Sequence, residues 1–159
     1  MRLLTPELLD EIAARAATSP RRRAHHTLHT GAADLVQRFI VVCCADTYFR
    51  PHRHAVRAEL AVVLRGRFEI LTLAEDGALT ARYAAGPGSG SLGYETAAGT
   101  WHTVLALEDG AAFLEVKEGP YDPATAAEFA PWAPAEGAAE VPRYAQWLRR
   151  ARRGERFAP

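Results

Sequence analysis

From about residue 35 to residue 118 the chain breaks into short strand-like segments with no helical stretch between them. LVQRFIVVCC, YFRPHRH, ELAVVL, RFEILTL, LTARYA, YETA, WHTVLAL and AAFLEVKE follow one another closely. The breaks carry turn chemistry at Arg65-Gly66, Asp76-Gly77 and Asp109-Gly110, where glycine accepts the backbone angles that tight hairpins need. About eight short strands without crossover helices argue for an all-β β-sandwich or jelly-roll barrel. The longer AAGPGSGSLG loop at 84–93 lacks the Gly-Lys-Ser/Thr ending of a phosphate loop, so it is not read as a nucleotide site.

Both flanks differ in texture. Thr5-Pro6-Glu7 has the chemistry of a helix start: a capping hydroxyl, a proline for the first turn and an acid at the positive end of the dipole. Leu8, Leu9, Ile12 and Ala16 give that helix, expected over residues 5–18, one apolar face. After Pro120 the chain is rich in Ala, Pro and acidic residues, which predicts an irregular wrap over the barrel, anchored by Trp132. A short helix from about Arg143 to Arg152 places Tyr144, Trp147 and Leu148 on one face. The expectation is a single domain over 1–159, with a barrel core at about 35–118 and a C-terminal extension at 119–159. A chain of 159 residues is long enough to bury roughly two-thirds of its unfolded surface.

Nineteen basic residues balance nineteen acidic ones, so no overall field draws the protein to nucleic acid or to anionic membrane. Its longest apolar runs, such as FIVVCCA at 39–45, are too short to span a bilayer. Acids interrupt the apolar start MRLLTPELLDEIAARA, unlike a secretory signal, so a cytoplasmic location is expected. Cys43 and Cys44 are sequence neighbours, poorly placed for a disulfide, and are read as reduced and mostly buried.

The histidines carry the chemistry. His52 and His54 stand one residue apart, so on a strand they share a face. Glu59 has the wrong parity for an uninterrupted strand, and Ala55-Val56-Arg57 must bend or bulge to bring its carboxylate round. His102, in GTWH, opens a later strand. Three imidazoles and a carboxylate suit a divalent first-row metal, with bonds of roughly 2.0–2.2 Å for a zinc-like ion. Iron, manganese, zinc and nickel all remain open, at one ion per chain.

HRHAVRAELAVVLRG resembles the first signature of the cupin superfamily, and GTWH resembles the core of the second. The resemblance implies a double-stranded β-helix in which His52, His54, Glu59 and His102 bind the metal. The N-terminal helix, VQRF, YFRPHRH, the hairpin after LRGRFEIL, and FLEVKEGPYDP followed by FAPWAPAEG are similar to the WbuC-type cupins over residues 1 to about 148. Those are small bacterial proteins, some encoded among polysaccharide biosynthesis genes. Three positions depart from the signatures: Asp46 replaces a glycine, Ala97 a proline and Ala106 an asparagine. None is a ligand.

Arg50 and Tyr48 share the parity of His52 and, with Tyr121, are candidate substrate contacts. Glu115 shares the parity of Phe113 and Lys117; facing inward, it is a candidate to hydrogen-bond the second nitrogen of a ligating imidazole. Trp101 is expected to point away from His102 and pack. His25, His26 and His29 lie in a polar run and are read as surface or hydrogen-bonding residues. Two functional classes follow. One is a metal-dependent enzyme, an isomerase, epimerase or dioxygenase acting on a small sugar-derived molecule, with Glu59 a ligand first and a proton-transfer group if displaced. The other is a metallocupin that binds or senses a small ligand without chemistry. A homodimer is expected in either case.

Overall fold

The structure is a computed structural model and describes residues 1–158. The elements run α1 (Pro6–Thr18), β1 (Arg23–Thr27), β2 (Val36–Cys43), β3 (His52–Arg53), β4 (Glu59–Arg65), β5 (Phe68–Leu73), β6 (Leu79–Ala85), β7 (Gly93–Thr96), β8 (Trp101–Ala106), β9 (Ala111–Glu118), β10 (Glu128–Phe129) and α2 (Val141–Arg150). They form two antiparallel five-stranded sheets, ordered β1-β2-β9-β4-β7 and β10-β3-β8-β5-β6. This is the jelly roll expected from the strand pattern.

Three apolar layers hold it. Between the sheets, Val41, Cys43, Ala61, Phe68, Val104 and Phe113 fill the closed end of the barrel. On the outside of the first sheet, Leu9, Ile12 and Ala16 of α1 pack on Ile40, Val42 and Ala112. Ile40 to Cys43 are therefore buried on both faces, which is why this strand reads as a continuous apolar run instead of alternating. Outside the second sheet, Leu71, Leu73, Trp101 and Leu105 are covered by Tyr144 and Leu148 of α2 together with Trp132. The N-terminal cap forms as its sequence implies, with Thr5 Oγ1 accepting the Leu8 N–H.

Two strands were not legible. β1 pairs along β2, yet the face it turns to the cavities carries Arg23, His25 and Thr27, of which only Arg23 is buried, so no apolar alternation marks it. The buried Arg23 guanidinium donates from Nη2 to Glu136 at 2.5 Å and from Nη1 to the Tyr48 carbonyl at 2.9 Å, while its Nε has no partner among the described residues. β10 is a two-residue strand in the C-terminal wrap and pairs with β3, setting Phe129 opposite His52. Conversely, most of YFRPHRH is not strand. Residues 44–51 run as irregular chain and only His52–Arg53 pairs.

Glycine is required where β7 meets β4. A Cβ on Gly93 would sit 2.2 Å from the Ala61 carbonyl oxygen, so any side chain would force the strands apart.

Candidate metal centre

β3 and β4 belong to opposite sheets, and the chain crosses the barrel between them at residues 54–58. The parity problem of Glu59 disappears for that reason. Its carboxylate is not bulged round on the histidine strand but arrives from the facing sheet. His52 and His102 are direct cross-strand partners, with ring centroids 4.5 Å apart. Gly99, at φ +78, makes the turn before β8 and donates its N–H to the His54 carbonyl at 2.8 Å, tying the two ligand-bearing segments together.

One ligating atom from each of His52, His54, Glu59 and His102 lies within 4.8 Å of all the others. Two metal–ligand bonds of ~2.1 Å placed opposite each other span ~4.2 Å, so modest side-chain adjustment closes the set on one ion. Every imidazole is oriented the same way. Nδ1 of His52 faces the Arg50 carbonyl at 3.0 Å, Nδ1 of His54 the Ala126 carbonyl at 2.6 Å, and Nδ1 of His102 the Thr100 carbonyl at 2.9 Å. Each Nδ1 therefore carries the proton and donates it, which directs Nε2 toward the cluster. His102 Nε2 is buried and has no hydrogen-bond partner among the described residues. Its distance to Glu59 Oε1, 3.8 Å, is too long for a hydrogen bond. An unpaired buried nitrogen aimed at two imidazoles and a carboxylate fits a metal ligand.

The electrostatics agree. Burial, aided by the neighbouring His102, pushes the His52 pKa down to about 3, so this ring is neutral at pH 7. Burial raises the Glu59 pKa, but the imidazoles of His102 and His54 and the Lys117 ammonium pull it well below the ordinary carboxylate range. His54 Nε2 lies 2.7 Å from Glu59 Oε2. Burial disfavours a charge on that ring, yet the carboxylate outweighs it and raises the pKa. In the metal-free cluster His54 Nε2 and the Glu59 carboxylate thus share a hydrogen bond whose place a metal would take.

The surrounding cavity, about 220 Å³, includes Arg50, Tyr94, Glu115, Lys117, Tyr121 and Phe129 in its wall. Arg50 is one of its lining residues; its Nη2 donates to the Ala130 carbonyl at 2.8 Å and its Nε has no partner among the described residues. Tyr121 stands at the rim, 44% exposed. Tyr48, expected in the pocket, lies elsewhere. Because the chain before β3 is irregular, strand parity does not hold there, and Tyr48 packs outside the second sheet against Tyr144, with its hydroxyl donating to the Pro134 carbonyl at 2.9 Å. Glu115 faces the cavity but touches no imidazole nitrogen, because backbone carbonyls already take every Nδ1–H. It pairs instead with Lys117 at 2.6 Å. Burial and the Glu59 charge raise the Glu115 pKa, while Lys117 stays protonated despite burial because Glu115 and Glu59 flank it. Trp101 does point outward, with the Arg53 guanidinium 4.4 Å from its ring.

Three contributions went unread. Lys117 lies 3.7 Å from Glu59 Oε2, and its alternation with Glu115 on β9 was the available signal. Tyr94 presents a buried hydroxyl without a partner among the described residues, and burial pushes its pKa well up. Nothing in YETA distinguishes it from packing. The Ala126 carbonyl, which orients His54, is a backbone atom of the wrap and leaves no mark in the side-chain pattern.

Comparison with known proteins gives a consistent picture. Protein SO0799 from Shewanella oneidensis matches over 92% of this chain and 98% of its own, at 11% identity and TM-score 0.59. Oxalate decarboxylase from Bacillus subtilis matches over 67% of this chain at 20% identity and TM-score 0.52. The capsular polysaccharide assembling protein CapF from Staphylococcus aureus matches over 61% at 18% identity and TM-score 0.52. This chain spans 27% of the length of each of the last two. At these identities the likeness is one of fold, the cupin jelly roll. No curated protein is similar in sequence. A family model described as "Domain of unknown function (DUF6016)" matches residues 4–85, just over half the chain and including His52, His54 and Glu59. The chain belongs to this family, a domain of unknown function carried on a cupin jelly roll with a His52/His54/Glu59/His102 cluster suited to a metal.

Proposed function

We propose that the protein binds one divalent first-row metal ion, iron, manganese, zinc or nickel, through Nε2 of His52, His54 and His102 and the Glu59 carboxylate, and acts on a small polar molecule in the adjoining cavity. The observation that carries this reading is the buried, partnerless His102 Nε2 converging with the other donors. With four protein ligands, an ion that accepts six would keep positions open to a small molecule. Such an ion would supply Lewis-acid polarisation of a carbonyl or hydroxyl oxygen, or activation of water.

The chain's own residues do the rest. Arg50 and Lys117 sit in the wall where an anionic group would be held, Arg50 with its Nε free to donate. Tyr94 offers a hydroxyl with no competing partner. Phe129, with Ala126 and Ala127 of the wrap, lines one side of the cavity. A sugar-derived ligand and a link to surface polysaccharide synthesis are supported by the WbuC-type resemblance and by the fold likeness to the polysaccharide-assembling CapF. In the same reading the chain is one cytoplasmic domain and pairs as a homodimer. Exposed Leu60, Val62 and Leu64 on β4 support the pairing.

Titrating metal-free protein with Co(II) tests this. The expected result is saturation at one ion per chain with a visible d–d spectrum that shifts when oxalate, a small anion probe, is added. A spectrum without histidine ligation, or the same titration with His102→Ala, would contradict the assignment.

A further inference from the structure

Beside the metal cavity a larger chamber of about 460 Å³ opens at the barrel mouth. The two meet along His25, Glu115, Lys117 and Tyr121, which line both. Their chemistry differs sharply. Arg21, Arg23, Arg50 and Lys117 line the inner cavity against Glu59, Glu115 and Glu136, so a divalent ion there leaves a clear excess of positive charge. In the mouth chamber the Glu115–Lys117 pair supplies the only formal charges among the described lining residues. Its other polar side chains are those of His25, Thr27, His29, Gln37 and Tyr121, arranged around Phe39.

Several of these groups are set to receive a neutral polar ligand. Gln37 is 1% exposed, and its Nε2 donates to the Ala32 carbonyl at 3.3 Å and the Asp34 carbonyl at 2.7 Å. The amide is thereby fixed with Oε1 as an acceptor, and that oxygen is buried without a partner among the described residues. His29 Nδ1 lies 3.0 Å from the Arg38 N–H. Nδ1 lies equally close, 3.0 Å, to the Arg38 carbonyl; with the Arg38 N–H as the donor, Nδ1 accepts and Nε2–H is left to donate. Phe39 meets the His29 ring edge-on at 4.8 Å, with the Lys117 ammonium 5.6 Å from its centroid.

We propose that the mouth chamber is a second subsite, which holds the uncharged, hydroxyl-bearing tail of a ligand whose acidic head lies in the metal cavity. The ligand class is then an extended polyhydroxy acid and not a short one. The placement of the head rests on the metal reading above, whereas the tail subsite rests on the mouth chamber itself. Gln37 and His29 offer one acceptor and one donor for tail hydroxyls, and Glu115–Lys117 marks the junction.

Calorimetry with metal-loaded protein tests it, using gluconate and glycolate, which share a 2-hydroxy-acid head and differ in the polyol tail. The two or so extra hydrogen bonds predict gluconate binding about tenfold tighter. That ratio is expected to fall to near one in His29→Ala and in Thr27→Trp, which fills the chamber; a melting curve verifies that each is folded. Equal binding of the two acids by the wild type overturns the subsite, as does a preference retained in both variants. If the loaded protein binds neither acid, the acidic head is wrong although the metal centre stands. Elemental analysis of the same sample separates that case from failure to load metal, which would remove the reading on which the inference rests.

Discussion

His54→Ala protein is expected to gain no thermal stability from a divalent ion, at concentrations where the wild type gains a great deal. At an ion concentration one hundred times the wild-type Kd, binding to the native state alone contributes about 2.7 kcal/mol, roughly 8 °C for a chain of this size. The substitution removes one of the four donors and also the 2.7 Å partner of Glu59. His26→Ala is the control; His26 stands on the opposite face of β1 from Arg23, His25 and Thr27. Acid should mimic the substitution. The Glu59 carboxylate raises the His54 pKa against the opposing effect of burial, so metal affinity is expected to weaken as pH falls and a proton competes with the ion for that ring. Differential scanning fluorimetry with and without ion reads all of these. Equal stabilisation of the wild type and His54→Ala would show that the ion binds elsewhere.

The second large effect lies away from the metal. Tyr144→Ala is expected to cost about 4 kcal/mol. The side chain is fully buried, packed edge-on against Tyr48 at 6.1 Å and Phe157 at 4.9 Å and tilted against Trp147 at 5.3 Å. It anchors α2 and the wrap to the second sheet, and the same wrap supplies β10 and the Ala126 carbonyl that orients His54. Loosening it should therefore lower metal affinity as well as stability. Tyr144→Phe should behave oppositely. The hydroxyl is buried with no partner among the described residues, and removing an unsatisfied polar atom is neutral or stabilises by up to about 1 kcal/mol. Urea denaturation read as a shift in midpoint at constant slope separates the two variants. A Phe variant as unstable as the Ala variant would mean that the hydroxyl is bonded after all.

What the sequence discloses follows from how each element is buried. β2, β4, β5, β8 and β9 face an apolar layer on at least one side, so their residues carry a pattern that a reader can find. β1 is silent because the face that carries Arg23, His25 and Thr27 lines cavities, with Arg23 alone buried and paired with Glu136. β10 is too short to carry any pattern. At the centre itself, the spacing of His52, His54, Glu59 and His102 was enough to pick out four side chains that the fold brings together in a cluster suited to a metal. Strand parity explained Glu59 wrongly because it assumed one strand where the chain changes sheets between β3 and β4. Tyr48 was misplaced by the same assumption. Lys117 left a local signal in its alternation with Glu115 on β9, whereas Tyr94 takes its place through neighbours from other strands, and contacts of that kind leave none.

An anomalous-difference map from crystals grown without chelator and soaked in Zn(II), Mn(II) or Ni(II) tests the central claim most directly. One peak is expected at ~2.0–2.2 Å from Nε2 of His52, His54 and His102 and from a Glu59 oxygen. The other cluster of ligating residue types, Cys44, Asp46 and Asp109 near the surface, is expected to stay empty, with Asp46 held by Arg22 at 3.0 Å. A peak only at that second cluster, or none at the histidines after reconstitution, would contradict the account.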